Sequence, residues 1–237
     1  LSDKTSSTFK VTVTNDPAEA LKAICGETPG AALLDGRAAL AAIVQNCGTL
    51  AFKMKDKDDN FGVKADIIVR VLGTDKNPLQ APRDLRGRDF CRLSGDDLTS
   101  WVLPSLTLRT SGVNPAGDLK GVKEFPNAEA MVQGLADGVC AATGIPSGTL
   151  SKFSVKLTGG QLRVITSTAE LPYGGIVVSP LLPKAITETL IDQIRRNPER
   201  FSDLLGDYQL VEAKSTDYDD FIRFAQNAGL NLRAIGQ

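Results

Sequence analysis

Polar and apolar residues alternate along Phe9-Lys10-Val11-Thr12-Val13-Thr14, with β-branched side chains at Val11 and Val13, and this period of two predicts a β-strand. The next residues carry the signals of a helix start. Asp16 suits the N-cap, Pro17 the first turn and Glu19 the carboxylate that returns to the cap, while Gly26 suits a left-handed residue after the last turn. The rhythm repeats at once: Gly30-Ala31-Ala32-Leu33-Leu34 reads as a short buried strand, Asp35-Gly36 as a turn, and residues 37–44 as an alanine-rich helix. Two strand–helix units in succession predict a parallel sheet covered by helices.

Residues 50–54 and 65–72 read as two further strands, joined as a hairpin by the charged tip at residues 55–62. Asp56, Asp58 and Asn60 in that tip imitate the start of a calcium loop, but no acidic residue follows at the closing bidentate position, so calcium is not expected. Residues 73–82 have the turn-rich composition of a connector. Beyond it come a strand at 90–93, a helix at 98–111, a strand at 123–125, a helix at 128–135 and strands at 139–142, 162–166 and 176–179. Leu171-Pro172-Tyr173-Gly174-Gly175 reads as a second crossing. A proline-led helix at 183–196 and a last helix at 218–228 complete the chain.

Composition narrows the function. Among 237 residues, 27 basic and 28 acidic side chains leave a net charge of −1, which gives no electropositive field for nucleic acid or an anionic membrane. The absence of histidine removes imidazole-based serine or cysteine catalysis and the commonest ligand for zinc, copper and iron, so no cofactor is expected. No apolar run approaches the roughly 20 residues that span a bilayer. Cys25, Cys47, Cys91 and Cys140 lack metal-knuckle spacing, and by themselves they stand equally as two bridges or four buried thiols.

The run Asp84-Leu85-Arg86-Gly87-Arg88-Asp89-Phe90-Cys91-Arg92-Leu93, then Trp101-Val102-Leu103-Pro104 and Gly112-Val113-Asn114-Pro115, resembles the second lobe of phosphate/phosphonate-type ABC-transporter solute-binding proteins. Leu1-Ser2-Asp3-Lys4-Thr5, Gly134-Leu135-Ala136-Asp137-Gly138, Leu162-Arg163-Val164-Ile165 and the helix led by Pro183 are similar to further stretches of that family, in the same order. The resemblance implies an α/β, two-lobed type II periplasmic-binding fold. Each lobe would be a mostly parallel sheet flanked by helices, with two hinge crossings. Residues 1–80 and 171–237 would form lobe one and residues 81–170 lobe two. It also implies that the family's first strand and first ligand loop lie upstream of Leu1. One disulfide per lobe would follow, Cys25 with Cys47 and Cys91 with Cys140.

In such a fold the ligand is held by strand-end loops and helix N-termini, whose free N–H groups and dipole favour an anion. The expected ligand-binding residues are Asp35 and Gly36 in lobe one, then Ser94, Asp96, Asp97, Thr99 and Ser100 in lobe two. Thr143 lies on the facing turn and Tyr173 near the second crossing. Where family members carry hydroxyls, this chain has Asp96 and Asp97, and a carboxylate beside a dianion costs on the order of 1–4 kcal/mol. The same aspartates also suit a helix cap with the side chain turned away. Facing a ligand, they would select an amine, so a zwitterion fits as well as a phosphonate-like solute.

The expectation is therefore a non-catalytic, monomeric, exported receptor, periplasmic or extracellular and membrane-anchored upstream of Leu1. It would close on a small polar solute and present it to a membrane permease, with no nucleic acid involved. A ligand-sensing or interaction domain of a signalling protein is the alternative. An enzyme using Asp35 and Asp97 as acid and base is a third reading, poorly supported without other catalytic groups.

Overall fold

A computed structural model describes residues 8–74, 76–155 and 160–232. The Leu1-Ser2-Asp3-Lys4-Thr5 stretch lies outside the described residues. By packing, the chain sorts into two units: residues up to Gly62 with Leu171–Ile222 and the residues from Asn231, and Val63–Glu170 with Arg223–Leu230.

In the first unit, helix α1 (Pro17–Ile24) is capped by Asp16, whose carboxylate accepts the Ala18 N–H at 2.9 Å. The rest of the expected capping differs. Glu19 accepts the Thr14 hydroxyl instead of the Asp16 N–H, which goes to Thr14 Oγ1, and Cys25 ends the helix in an ordinary right-handed conformation, so Gly26 has no left-handed role. Strand β1 (Ala31–Asp35), helix α2 (Gly36–Val44) and strand β2 (Thr49–Lys55) follow as the sequence pattern indicates. With β10 (Gly174–Val178) and β11 (Gln209–Glu212) they form a sheet in the order β1-β10-β2-β11. Every pairing in it is antiparallel, which corrects the expectation of a mostly parallel sheet for this unit. The physical reason is insertion: β1 and β2 run the same way, as two strand–helix units demand, but the returning β10 enters between them in the opposite direction.

Side chains on β10 alternate. Ile176 and Val178 pack with Phe52 and with Ile194 of helix α5 (Lys184–Arg196), while Val177 points the other way, against Gly48 and Ala42. The alanines of α2 are buried, which lets this helix lie close to the sheet. Residues 9–14 are not a strand. They have no regular secondary structure, with Val11 85% and Val13 81% exposed, since β propensity alone does not hold a strand without a partner to pair with.

In the second unit, β4 (Ala65–Leu72), β5 (Asp89–Arg92), β6 (Gly121–Glu124), β7 (Ala142–Pro146) and β8 (Gly160–Ser167) form a sheet in the order β6-β5-β7-β4-β8. β5 is parallel to β6 and β7, whereas β4 is antiparallel to β7 and β8. The sheet is therefore mixed. β2 and β4 belong to different sheets, so the expected hairpin across residues 55–62 does not form; the short β3 (Gly62–Val63) pairs instead with β9 (Leu171–Pro172).

Helix α3 (Leu103–Thr110), entered through one π-helical turn at Leu98–Val102, and helix α4 (Ala128–Ala136) cover opposite faces. Ile67 and Val69 join Phe90 and Leu108 on the α3 side, and Ile68 joins Cys91, Met131 and Leu135 on the α4 side. Both faces of the strand are covered along Ile67–Val69, which explains the consecutive apolar residues there. Helices α6 (Ser202–Leu205) and α7 (Asp219–Asn227) complete the described elements. Two disulfides join Cys25 to Cys47 and Cys91 to Cys140, with Cα–Cα distances of 4.8 and 5.8 Å. This is the pairing implied by the resemblance.

Candidate functional site

In the second unit the candidate loop begins where β5 ends. The Ser94 hydroxyl donates to Asp96 Oδ1 at 2.6 Å, and Asp97 Oδ1 accepts the Ser100 N–H at 2.6 Å and the Thr99 hydroxyl at 3.3 Å. Asp97 is thus the N-cap of the π-helical turn that leads into α3. One of the two carboxylates that weighed against an anion is spent on backbone capping, and the other holds Ser94. The cap takes one of the orphan amides of a helix start and leaves those of Leu98 and Thr99 available to a ligand or water.

Ser100 is buried, and its Oγ accepts the Leu93 N–H at 3.0 Å, closing the loop back on β5. Thr143, expected on a turn, lies inside β7; its buried hydroxyl donates to the Cys91 carbonyl at 2.8 Å and ties β7 to β5. The strand begins three residues later than the apolar pattern at 139–142 suggested, because Val139 is exposed and Cys140 is held by its disulfide. Beside Thr143, a Cβ on Gly144 would overlap the Thr99 carbonyl oxygen and lie 3.2 Å from the Ser100 Cα. Glycine there lets the loop rest directly on the strand.

In the first unit Asp35 ends β1 and caps α2, its Oδ1 accepting the Ala38 N–H at 2.8 Å. Gly36 is buried where a Cβ would collide with the Pro172 carbonyl oxygen. Tyr173 donates its hydroxyl to Asp56 Oδ2 at 3.0 Å and meets Tyr208 edge-on at 4.9 Å. Asp56 also accepts from the backbone of Asp58 and Asn60 and from the Asn60 amide. The Asn60 side chain foremost, then these other donors, hold its carboxyl below the usual aspartate value. Its loop is closed on itself, and among the described residues no acidic cluster fit to hold a metal ion is found.

Three features escaped the sequence reading. Tyr218 is 2% exposed, and its hydroxyl has no hydrogen-bond partner among the described residues. Burial, and then the carboxylates of Asp35 and Asp217, push this phenol well above the ordinary tyrosine value. Asp217 in turn pairs with Lys53 at 2.7 Å, whose ammonium sits 4.5 Å from the Phe61 ring centre. Asp66 is a buried carboxylate held by Ser147, Ser167 and the Gly148 N–H. Arg92, at the end of β5, lies over the Trp101 ring at 4.7 Å. Tyr218 and Asp66 belong to no spaced motif, and Arg92 lies in the run 84–93 without being singled out there. The signal for Arg92 was a cation placed immediately before the candidate loop, with an aromatic residue in the following turn.

A groove of about 280 Å³ bordered by Glu129, Gln133 and Phe153 contains none of the expected site residues.

Comparison with known proteins bears on this arrangement. A family model described as ABC transporter, phosphonate, periplasmic substrate-binding protein matches residues 1–221. Among solved structures, a binding protein component of an ABC phosphonate transporter from Pseudomonas aeruginosa is 14% identical with a TM-score of 0.52, over 98% of this chain and 80% of that one. The XAC2383 protein of Xanthomonas citri, bound to ATP, is 11% identical with a TM-score of 0.63, over 96% and 87%. PhnD1 from Prochlorococcus marinus, in complex with methylphosphonate, is 14% identical with a TM-score of 0.52, over 91% and 84%. No curated protein matches. At such identities the structural likeness shows the fold, which is that of type II periplasmic binding proteins. The family is one of transport binding proteins, not enzymes. The match over residues 1–221 places the chain in the phosphonate-binding family of periplasmic ABC-transporter substrate-binding proteins.

Proposed function

We propose that this chain is the monomeric solute receptor of an importer for a phosphonate-like or zwitterionic metabolite. Its two packing units act as lobes that close on the solute by a hinge and deliver it to a cognate permease. The first crossing lies near Gly62–Val63, ahead of the connector at residues 73–82 where the sequence pattern put it, and the return crossing lies near Leu171. Ser94, Thr99 and the first amides of the turn at Leu98 contact the anionic end of the solute; Ser100 and Thr143 hold that loop in shape. Asp35 caps its helix through Oδ1, and its other oxygen, with Gly36 and Tyr173 beside it, favours an amine at the other end of the solute.

The observation that carries this reading is the capping role of Asp97. With its carboxylate turned to the Ser100 N–H, the loop turns the Leu98 and Thr99 amides to the solute, and the Ser94 and Thr99 hydroxyls, which donate to Asp96 and Asp97 in the free protein, swing to the phosphoryl oxygens on binding. Family membership supplies the class of solute.

A thermal-shift panel tests it. A ligand that binds only the folded state at about 100 times its Kd adds about 2.7 kcal/mol and raises Tm by several degrees. Methylphosphonate, 2-aminoethylphosphonate or phosphate is expected to do so, with the aminophosphonate strongest. A panel in which only cationic amines or amino acids shift Tm would contradict the proposal.

A further inference from the structure

We infer that Arg92 is a specificity-determining residue that supplies the positive charge for the anionic end of the solute at the Ser94–Ser100 loop. The inference rests on the functional reading above and deepens it. Arg92 is the last residue of β5, paired in register with Glu124 of β6. Its Nε and Nη2 both donate to one oxygen, Glu124 Oε1, at 3.1 and 2.7 Å. Nη1 has no hydrogen-bond partner among the described residues. The guanidinium lies 4.7 Å from the centre of the Trp101 ring, and Trp101 in turn meets the buried Phe90 edge-on at 5.8 Å.

Orientation makes this more than a strand-end ion pair. An exposed pair of this kind contributes little to stability, yet here the guanidinium sits over an indole that packs against the core, with the side chain only 22% exposed. A planar fork fixed in advance is the form in which arginine binds oxyanions. It is fixed under the candidate loop: a Cβ built on Gly95 would lie 3.6 Å from both Nη1 and Nη2. Because position 95 is glycine, no side chain separates the cation from the loop that carries the Ser94 and Thr99 hydroxyls. The charge of Arg92 beside the loop lessens the repulsion that Asp96 and Asp97 would exert on an anion.

Glu124, 58% exposed, is the competing acceptor, so an arriving anion shares or displaces it. Two variants therefore move affinity in opposite directions. Methylphosphonate is titrated calorimetrically into wild type, Arg92→Gln and Glu124→Gln at two salt concentrations, with Tm measured on each protein without ligand. The expected result is a loss of about 10- to 100-fold in Arg92→Gln, the range for a charge-assisted hydrogen bond. Affinity should rise in Glu124→Gln, and the salt dependence of Arg92→Gln should be flatter than that of wild type. If wild type binds and Arg92→Gln binds equally well, the inference fails while the functional reading stands, and Arg92 is then only a support for Trp101. If wild type binds no phosphonate or phosphate, the functional reading fails and the role of Arg92 falls with it.

Discussion

A buried hydroxyl without a partner costs about 1–3 kcal/mol relative to one that is satisfied, which makes Tyr218 the least comfortable side chain in the first unit. Its phenol is raised by burial and by the nearby carboxylates of Asp35 and Asp217, so the folded protein binds this proton more tightly than the unfolded chain. The stabilising contribution is then fully present below the unfolded tyrosine value of about 10, and it is lost as pH rises above it. Alkaline unfolding should therefore begin above about pH 10 and bring the Tyr218 phenolate absorbance with it. Tyr218→Phe should keep or increase stability at pH 7 and weaken the alkaline dependence. A clear destabilisation at pH 7 would mean that the hydroxyl is satisfied by bound water. None of this was legible in the sequence, where Tyr218 is only the first residue of the last predicted helix.

At the scale of elements, local signals were read well and pairing was not. Asp16 capping α1, Pro183 leading α5 and the strand at residues 65–72 all follow from residues a few positions apart, where backbone chemistry acts directly. The hairpin at 55–62 and the parallel sheet of the first unit were misread because strand partners come from distant segments. β2 pairs with β10 and β11, more than 100 residues on, and no local pattern encodes that insertion. In the candidate loop, sequence left open whether Asp97 faces a ligand or caps a helix, and only the position of the Ser100 N–H decided it. The disulfides came from the resemblance and not from spacing. The bridge from Cys91 to Cys140 closes 49 residues of chain and anchors the strand that bears the candidate loop. A loop of that length corresponds to about 4 kcal/mol of chain entropy. Replacing both cysteines with serine should lower urea stability by about that amount, and a change below about 1 kcal/mol would show that the bridge constrains little.

For the molecule as a whole, the family model over residues 1–221 shows the family, and the solved neighbours at 11–14% identity show the fold. The chemistry of the site depends on few residues, and in the proposed reading Asp96, Asp97 and Arg92 are those that decide whether the loop receives an anion. The most direct test of the account is calorimetric titration of the wild-type protein with 2-aminoethylphosphonate and, separately, with ethanolamine. Saturable one-to-one binding of the phosphonate, with ethanolamine silent or far weaker, is the expected result. Binding of ethanolamine with no response to the phosphonate would contradict it.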